Sequence, residues 1–226
     1  MTNSTNWNLY HQKDQVFSGF TRPMLFGRFL AMLERYSAPR PSLAELGGAG
    51  SRVFEQVCLR LQPREYHVID NDQDGLDRLR LRVSGGTGVK CWKRDILKLD
   101  LPLQLDTVFS LGLIEHFDEE GTREAIQAHL RLLKPGGIAI ISFPTPTVVY
   151  RAARGIACVT GKWIFHDERA LWPQEVQAAI DGQAEWLDSE LVRPILLTRT
   201  LTAIRKCGAN RGAVSREALR YEAAAS

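Results

Sequence analysis

Apolar positions along the chain change period several times, and those changes divide it into elements. From about Arg22 to Tyr36, Met24, Leu25, Phe29, Met32 and Leu33 recur at helical spacing, and Pro23 suits the first turn of the predicted helix. Ala38-Pro39-Arg40-Pro41 interrupts it. Beyond this break, short apolar runs alternate with helical patterns. Leu43 to Leu46 reads as a strand, followed by a glycine turn and a helix through about Leu61. Tyr66 to Asp70 reads as a strand and Gln73 to about Val83 as a helix. Val89 to Trp92 and Leu105 to Ser110 are further strands, with a helix from about Thr122 to Leu133 behind them. Ile138 to Phe143 is the most apolar strand of all. Such alternation predicts an α/β fold, a parallel sheet with helices on both faces. From Pro144 to about Gln183 the pattern turns to helical pieces and aromatics, and Leu191 to Arg205 resumes strand character. The last fifteen or so residues are rich in Ala, Arg and Gly and are expected to fray. Residues 1–41 thus read as an N-terminal helical cover segment, 42–206 as the main domain with 144–183 inserted, and 207–226 as a flexible tail.

Composition narrows the class. With 226 residues, 44% hydrophobic and 24% charged, the chain suits one large domain and excludes global disorder. A chain of this length buries roughly 70% of its unfolded surface and needs no disulfide or metal staple. Cys58, Cys91, Cys158 and Cys207 are scattered without C-x-x-C spacing, which argues against a zinc site and a secreted disulfide framework. Met1 to Leu9 lacks the layout of a signal peptide, and no run approaches the ~18–20 apolar residues of a membrane span. A soluble, cytoplasmic protein without a metal is the expectation. The net charge of +3 is too small to imply nucleic acid, but it is unevenly placed. From Arg193 onward seven basic residues face two acidic ones, making that stretch +5 and the rest of the chain −2. Such a tail suits a solvated end, or peripheral contact with an anionic surface.

Several stretches carry chemistry. Ser42-Leu43-Ala44-Glu45-Leu46-Gly47-Gly48-Ala49-Gly50-Ser51 ends a strand in an acid and turns through small residues into a helix. Small residues let a ligand touch the backbone, and the helix start offers unsatisfied N–H groups. Gly48-Ala49-Gly50-Ser51-Arg52-Val53 is also a broken G-x-G-x-x-G with Asp70 downstream, which keeps a nicotinamide-dinucleotide oxidoreductase open. Val68-Ile69-Asp70-Asn71 and Arg94-Asp95-Ile96 each put an acid at the end of a predicted strand, where open α/β sheets bind ligands. A carboxylate there can accept two ribose hydroxyls or the exocyclic amine of adenine. Leu105-Asp106-Thr107-Val108-Phe109-Ser110-Leu111-Gly112-Leu113-Ile114-Glu115-His116-Phe117 follows, and Lys134-Pro135-Gly136-Gly137 suits a turn that ends a helix and launches a buried strand.

In this order and spacing, from Leu43 to Phe143, the motifs resemble the class I S-adenosylmethionine-dependent methyltransferases. That resemblance implies a Rossmann-like three-layer fold, a seven-stranded mostly parallel sheet whose last strand is antiparallel, with Leu196 to Lys206 as the candidate for it. The family's acid-x-Gly-x-Gly-x-Gly reads here as Glu45, Gly47, Ala49 and Ser51, with glycines shifted to 48 and 50. Carried over, Glu45 and Gly47 lie under the methionine moiety of S-adenosylmethionine, and Gly48 and Ala49 form the turn. Asp70 holds the ribose hydroxyls with Asn71 beside it. Asp95 reads the adenine amine, Ile96 packs on the ring, and Ser110 and Leu111 offer backbone near the amino acid end.

The acceptor is narrowed by what is missing. After Ser110 there is no Asn/Asp-Pro-Pro-Tyr and no Pro-Cys nucleophile, and no basic-aromatic array suits nucleic acid. A small-molecule or glycan-type acceptor, methylated on oxygen, is the expectation. The run Gly161 to Arg169 and Leu196-Leu197-Thr198-Arg199 is loosely similar to methyltransferases of polysaccharide and natural-product pathways. Residues 1–41 and 144–183, with Tyr150, Trp163, Phe165, His166, Asp167, Glu168 and Trp172, are the candidates to wall the acceptor pocket or to form a satellite core. His116, which follows the strand expected to reach the reacting methyl, is the candidate base, with His166 and His11 in reserve; Glu115-His116 could equally brace the loop. A non-catalytic cofactor-binding subunit is the remaining reading.

Overall fold

A computed structural model of the chain describes residues 18–83, 88–161, 163, 167–193 and 198–208. Six α-helices and seven strands are described: α1 (Ser18–Tyr36), β1 (Ser42–Leu46), α2 (Phe54–Leu61), β2 (Glu65–Asp70), α3 (Gln73–Val83), β3 (Val89–Lys93), β4 (Leu105–Leu111), α4 (Glu119–Leu132), β5 (Leu133–Pro144), α5 (Val148–Val159), α6 (Pro173–Ala179), β6 (Ala184–Val192) and β7 (Arg199–Lys206). The strands form one sheet in the order β3-β2-β1-β4-β5-β7-β6. β1 to β5 pair in parallel, and β7 runs antiparallel between β5 and β6. A nicotinamide-binding sheet continues in parallel past its fifth strand. The antiparallel β7 inserted here therefore favours the methyltransferase expectation.

Alternate residues of each central strand feed two cores. On one face Leu43, Tyr66, Val68, Phe109, Ile138, Ile140, Leu201 and Ala203 pack with Phe29 and Leu33 of α1, Val57 of α2 and Leu76 of α3. On the other, Ala44, Leu46, Ile69, Val108, Ala139, Ile141 and Ile204 meet Ala125, Ile126 and Leu130 of α4 and Val176 of α6. The helix that the sequence assigns to a cover segment, α1, is thus a layer of the domain; the ring of its Phe29 lies 5.1 Å from that of Phe109.

Boundaries differ from the expectation where local chemistry acts. Pro23 sits inside α1, in its second turn, where the ring sacrifices only an early hydrogen bond. α4 starts at Glu119 because Asp118 caps it, accepting the Gly121 N–H at 2.8 Å. β6 is not apparent from the apolar pattern, which places the return of strand character only at Leu191. It is an edge strand bearing Glu185, Asp188 and Glu190, with an irregular register between Trp186 and Asp188. Charged, bulged edges resist further pairing and leave little periodic signal. Among the described residues no helix is long and apolar enough to cross a membrane.

Candidate functional site

The C-terminal ends of β1, β2, β3 and β4 bring the predicted binding residues to one edge of the sheet. Gly47 turns the chain out of β1 with φ +72, and a side chain there would meet Leu113 Cδ1 at 3.0 Å. At Gly48 a Cβ would lie 2.7 Å from Glu45 Cγ and 2.9 Å from Val68 Cγ1. The two adjacent glycines are therefore each required by sterics, which explains a spacing that departs from the usual motif. Ala49 and Ser51 are buried in the same turn.

Glu45 lies beneath this turn, buried, and accepts the Tyr66 hydroxyl at 2.7 Å. Burial, only partly offset by the hydrogen bond of Tyr66, pushes its pKa up to about 7. Asp70 braces the turn from β2. Its Oδ2 accepts the Ala49 N–H and its Oδ1 the Asp72 N–H, both at 2.9 Å. Each oxygen keeps a further lone pair for a hydroxyl. Asn71 is exposed beside it. Asp95 is exposed and caps a short 3-10 turn, Ile96–Lys98, by accepting the Leu97 N–H at 3.0 Å; Ile96 itself is buried in the core. Ser110 offers only its backbone, because its hydroxyl is turned to His129 Nε2 at 2.9 Å. His129, fully buried with Nδ1 2.7 Å from the Ala125 carbonyl, has its pKa lowered to about 4 by burial. Leu111 is half-buried at the end of β4.

Past β4 a second 3-10 turn, Ile114–His116, carries a polar cluster. His116 Nδ1 lies 3.2 Å from Asp167 Oδ1, with 11% of the His116 side chain exposed. Glu115 is 1% exposed and receives Arg199 Nη2 at 2.6 Å, while its Oε2 is buried with no hydrogen-bond partner. Arg199 Nε also donates to Ser142 Oγ at 3.2 Å, tying the turn to β5 and β7. Glu168 is buried and accepts the Tyr150 hydroxyl at 2.5 Å. Burial and the nearby Glu115 raise its pKa against the pull of Arg199.

Sequence reasoning named Glu115 and Glu168 but not the ion pair to Arg199, which lies 84 residues further on. The structure joins Asp167 to His116, a pairing that neighbours in the sequence do not signal. His11, Phe165 and His166 lie outside the described residues. Among the described residues no group of His, Cys, Asp and Glu gathers as a metal site.

The residues present fit S-adenosylmethionine. The turn has no side chain at its closest approach to Glu45, and carboxylates stand at the ends of the next two strands. Residues 44–137 match the family model described as a methyltransferase domain. No curated protein matches the sequence. By structure, the chain is similar to magnesium protoporphyrin IX methyltransferase from Synechocystis, crystallised with bound S-adenosylhomocysteine. That match has a TM-score of 0.69 and 12% identity over 89% of this chain and 95% of the other. It is also similar to the N-methyltransferase NodS from Bradyrhizobium japonicum in complex with S-adenosylhomocysteine, with a TM-score of 0.64 and 16% identity over 90% and 93% of the two chains. A third, a possible exported protein from Bordetella parapertussis, has a TM-score of 0.67 and 20% identity, covering 83% of this chain and 69% of that one. At such identities the likeness is one of fold.

Proposed function

We propose that this chain, whose residues 44–137 match the methyltransferase domain, is an S-adenosylmethionine-dependent methyltransferase that methylates a hydroxyl of a small-molecule or glycan-type acceptor, with His116 as the base. The observation that carries the reading is the His116–Asp167 pair on the turn after β4, beside the edge of the sheet that holds the cofactor residues. The bound cofactor supplies a methyl group activated by its sulfonium. Gly47, Gly48 and Ala49 present backbone to it, Asp70 takes the ribose hydroxyls, and Asp95 with Ile96 takes the adenine. Glu45 stands behind the turn and holds its shape.

The chain's own contribution to the chemistry is to orient the acceptor and take a proton. With Nδ1–H donated to Asp167, Nε2 is the ring nitrogen that would receive the hydroxyl proton, and the carboxylate would steady the imidazolium that results. The Glu115–Arg199 pair holds the turn on which His116 is mounted. Trp163, with the buried Tyr150 ring edge-on behind it, and the partly exposed Trp172 supply aromatic surface for an acceptor with an apolar face.

A turnover screen with labelled cofactor against glycosides and phenols, using wild type and His116→Ala, tests this reading. General base catalysis contributes roughly 10²–10⁴-fold, so the variant should lose that much turnover while binding the cofactor as before. A loss below about tenfold, or an equal loss of cofactor affinity, would assign His116 to the architecture of the turn.

A further inference from the structure

Helix α5 carries Val148, Ala152, Ile156 and Val159 at the spacing that places residues on one helical face. That face points outward: Val148 is 82% exposed, Ile156 67% and Val159 90%, with half-exposed Val149 beside them. The opposite face is turned into the protein. There Tyr150 is buried and donates its hydroxyl to Glu168, and Arg154 Nη2 donates to the Glu168 carbonyl at 2.9 Å. The helix is amphipathic with its apolar side on the outside, which is unfavourable in water unless something covers it.

Charge indicates what does. Between Glu124 and Asp167 the chain has no acidic residue, while α5 carries the exposed Arg151 at the border of the apolar stripe. The Arg151 guanidinium lies 6.0 Å from the ring centroid of the partly exposed Trp172. An aliphatic stripe bordered by an arginine and an amphipathic aromatic, with no acid nearby in the sequence, is the pattern of a helix lying in a lipid headgroup layer. We infer that α5 docks this domain on an anionic lipid bilayer, its valines and Ile156 at the acyl boundary and Arg151 at the phosphates. A second copy of the chain is a poorer cover. A twofold contact would set the two copies of Arg151 against each other with no acid on the helix to answer them. α5 follows β5 directly, so docking turns the acceptor side of the domain towards the membrane.

Co-sedimentation of the full chain with vesicles of phosphatidylcholine, alone or with phosphatidylglycerol, tests the inference. A cation near an anionic surface is worth roughly fivefold in partitioning, so Arg151 predicts binding about fivefold tighter with phosphatidylglycerol, falling with salt. Ile156→Asp with Val159→Asp should weaken that binding at least about tenfold. Calorimetric affinity for S-adenosylmethionine should be unchanged in the double variant, which verifies its fold. Equal sedimentation with both lipids, or binding untouched by the substitutions, overturns the inference. So does a concentration-dependent dimer that the same substitutions abolish. The assay involves no turnover, so its failure leaves the assignment of His116 standing.

Discussion

Replacing Glu45 by glutamine should change how stability depends on pH, by an amount set by the burial of that carboxyl. Burial raises the Glu45 pKa from 4.5 to about 7 in the folded protein. Between those values the native state holds a proton that the unfolded chain has released. The stability this group contributes is therefore complete below 4.5 and is lost as pH rises to about 7. At ~1.4 kcal/mol per pH unit, that interval amounts to ~3 kcal/mol. His129 acts in the opposite sense. Burial lowers its pKa from 6.5 to about 4, so its contribution is complete above 6.5 and is lost as pH falls towards 4. Over the shared interval the native state carries the proton of Glu45 and the unfolded state that of His129, and the two slopes nearly cancel. Glutamine preserves the shape and a carbonyl for the Tyr66 hydroxyl but cannot ionise. The unfolding free energy of Glu45→Gln minus that of wild type should thus increase by ~3 kcal/mol from pH ~4.5 to ~7. Other titrating groups, Glu168 among them, are common to both proteins and drop out of the difference. Urea unfolding of both proteins at intervals of about one pH unit measures it. Parallel curves across that range would refute the reasoning, because they would mean that Glu45 does not change its proton occupancy there.

Two further outcomes are expected. Asp70→Ala should weaken S-adenosylmethionine binding in calorimetry by ~30- to 150-fold, since it removes a charge-assisted acceptor and releases the Ala49 N–H that steadies the turn; an unchanged affinity would take the ribose away from Asp70. Arg199→Met should cost ~3 kcal/mol in denaturant unfolding by leaving Glu115 buried without its cation, and Glu115→Gln added to it should recover a large part; additive losses would mean that the two side chains are not coupled.

Much of this protein is written in local pattern. Strands such as Ile138–Phe143 are apolar because they are covered on both faces, and a continuous apolar run bounded by turns is visible without coordinates. The edge proposed for the cofactor has a local pattern for a similar reason: a strand, an acid and a turn are neighbours in the chain, so Glu45, Asp70 and Asp95 each stand out within a few residues. The role of α1 was not legible, because its apolar side fits a cover or a layer equally well and only packing against Phe109 distinguishes them. Nor was β6, whose charged edge carries no period. The polar cluster depends wholly on tertiary structure. Arg199 reaches Glu115, Asp167 reaches His116 and Ser110 reaches His129 across long stretches of sequence. A buried charge or imidazole takes whatever partner the packed fold brings within hydrogen-bond reach, and local sequence does not specify that partner.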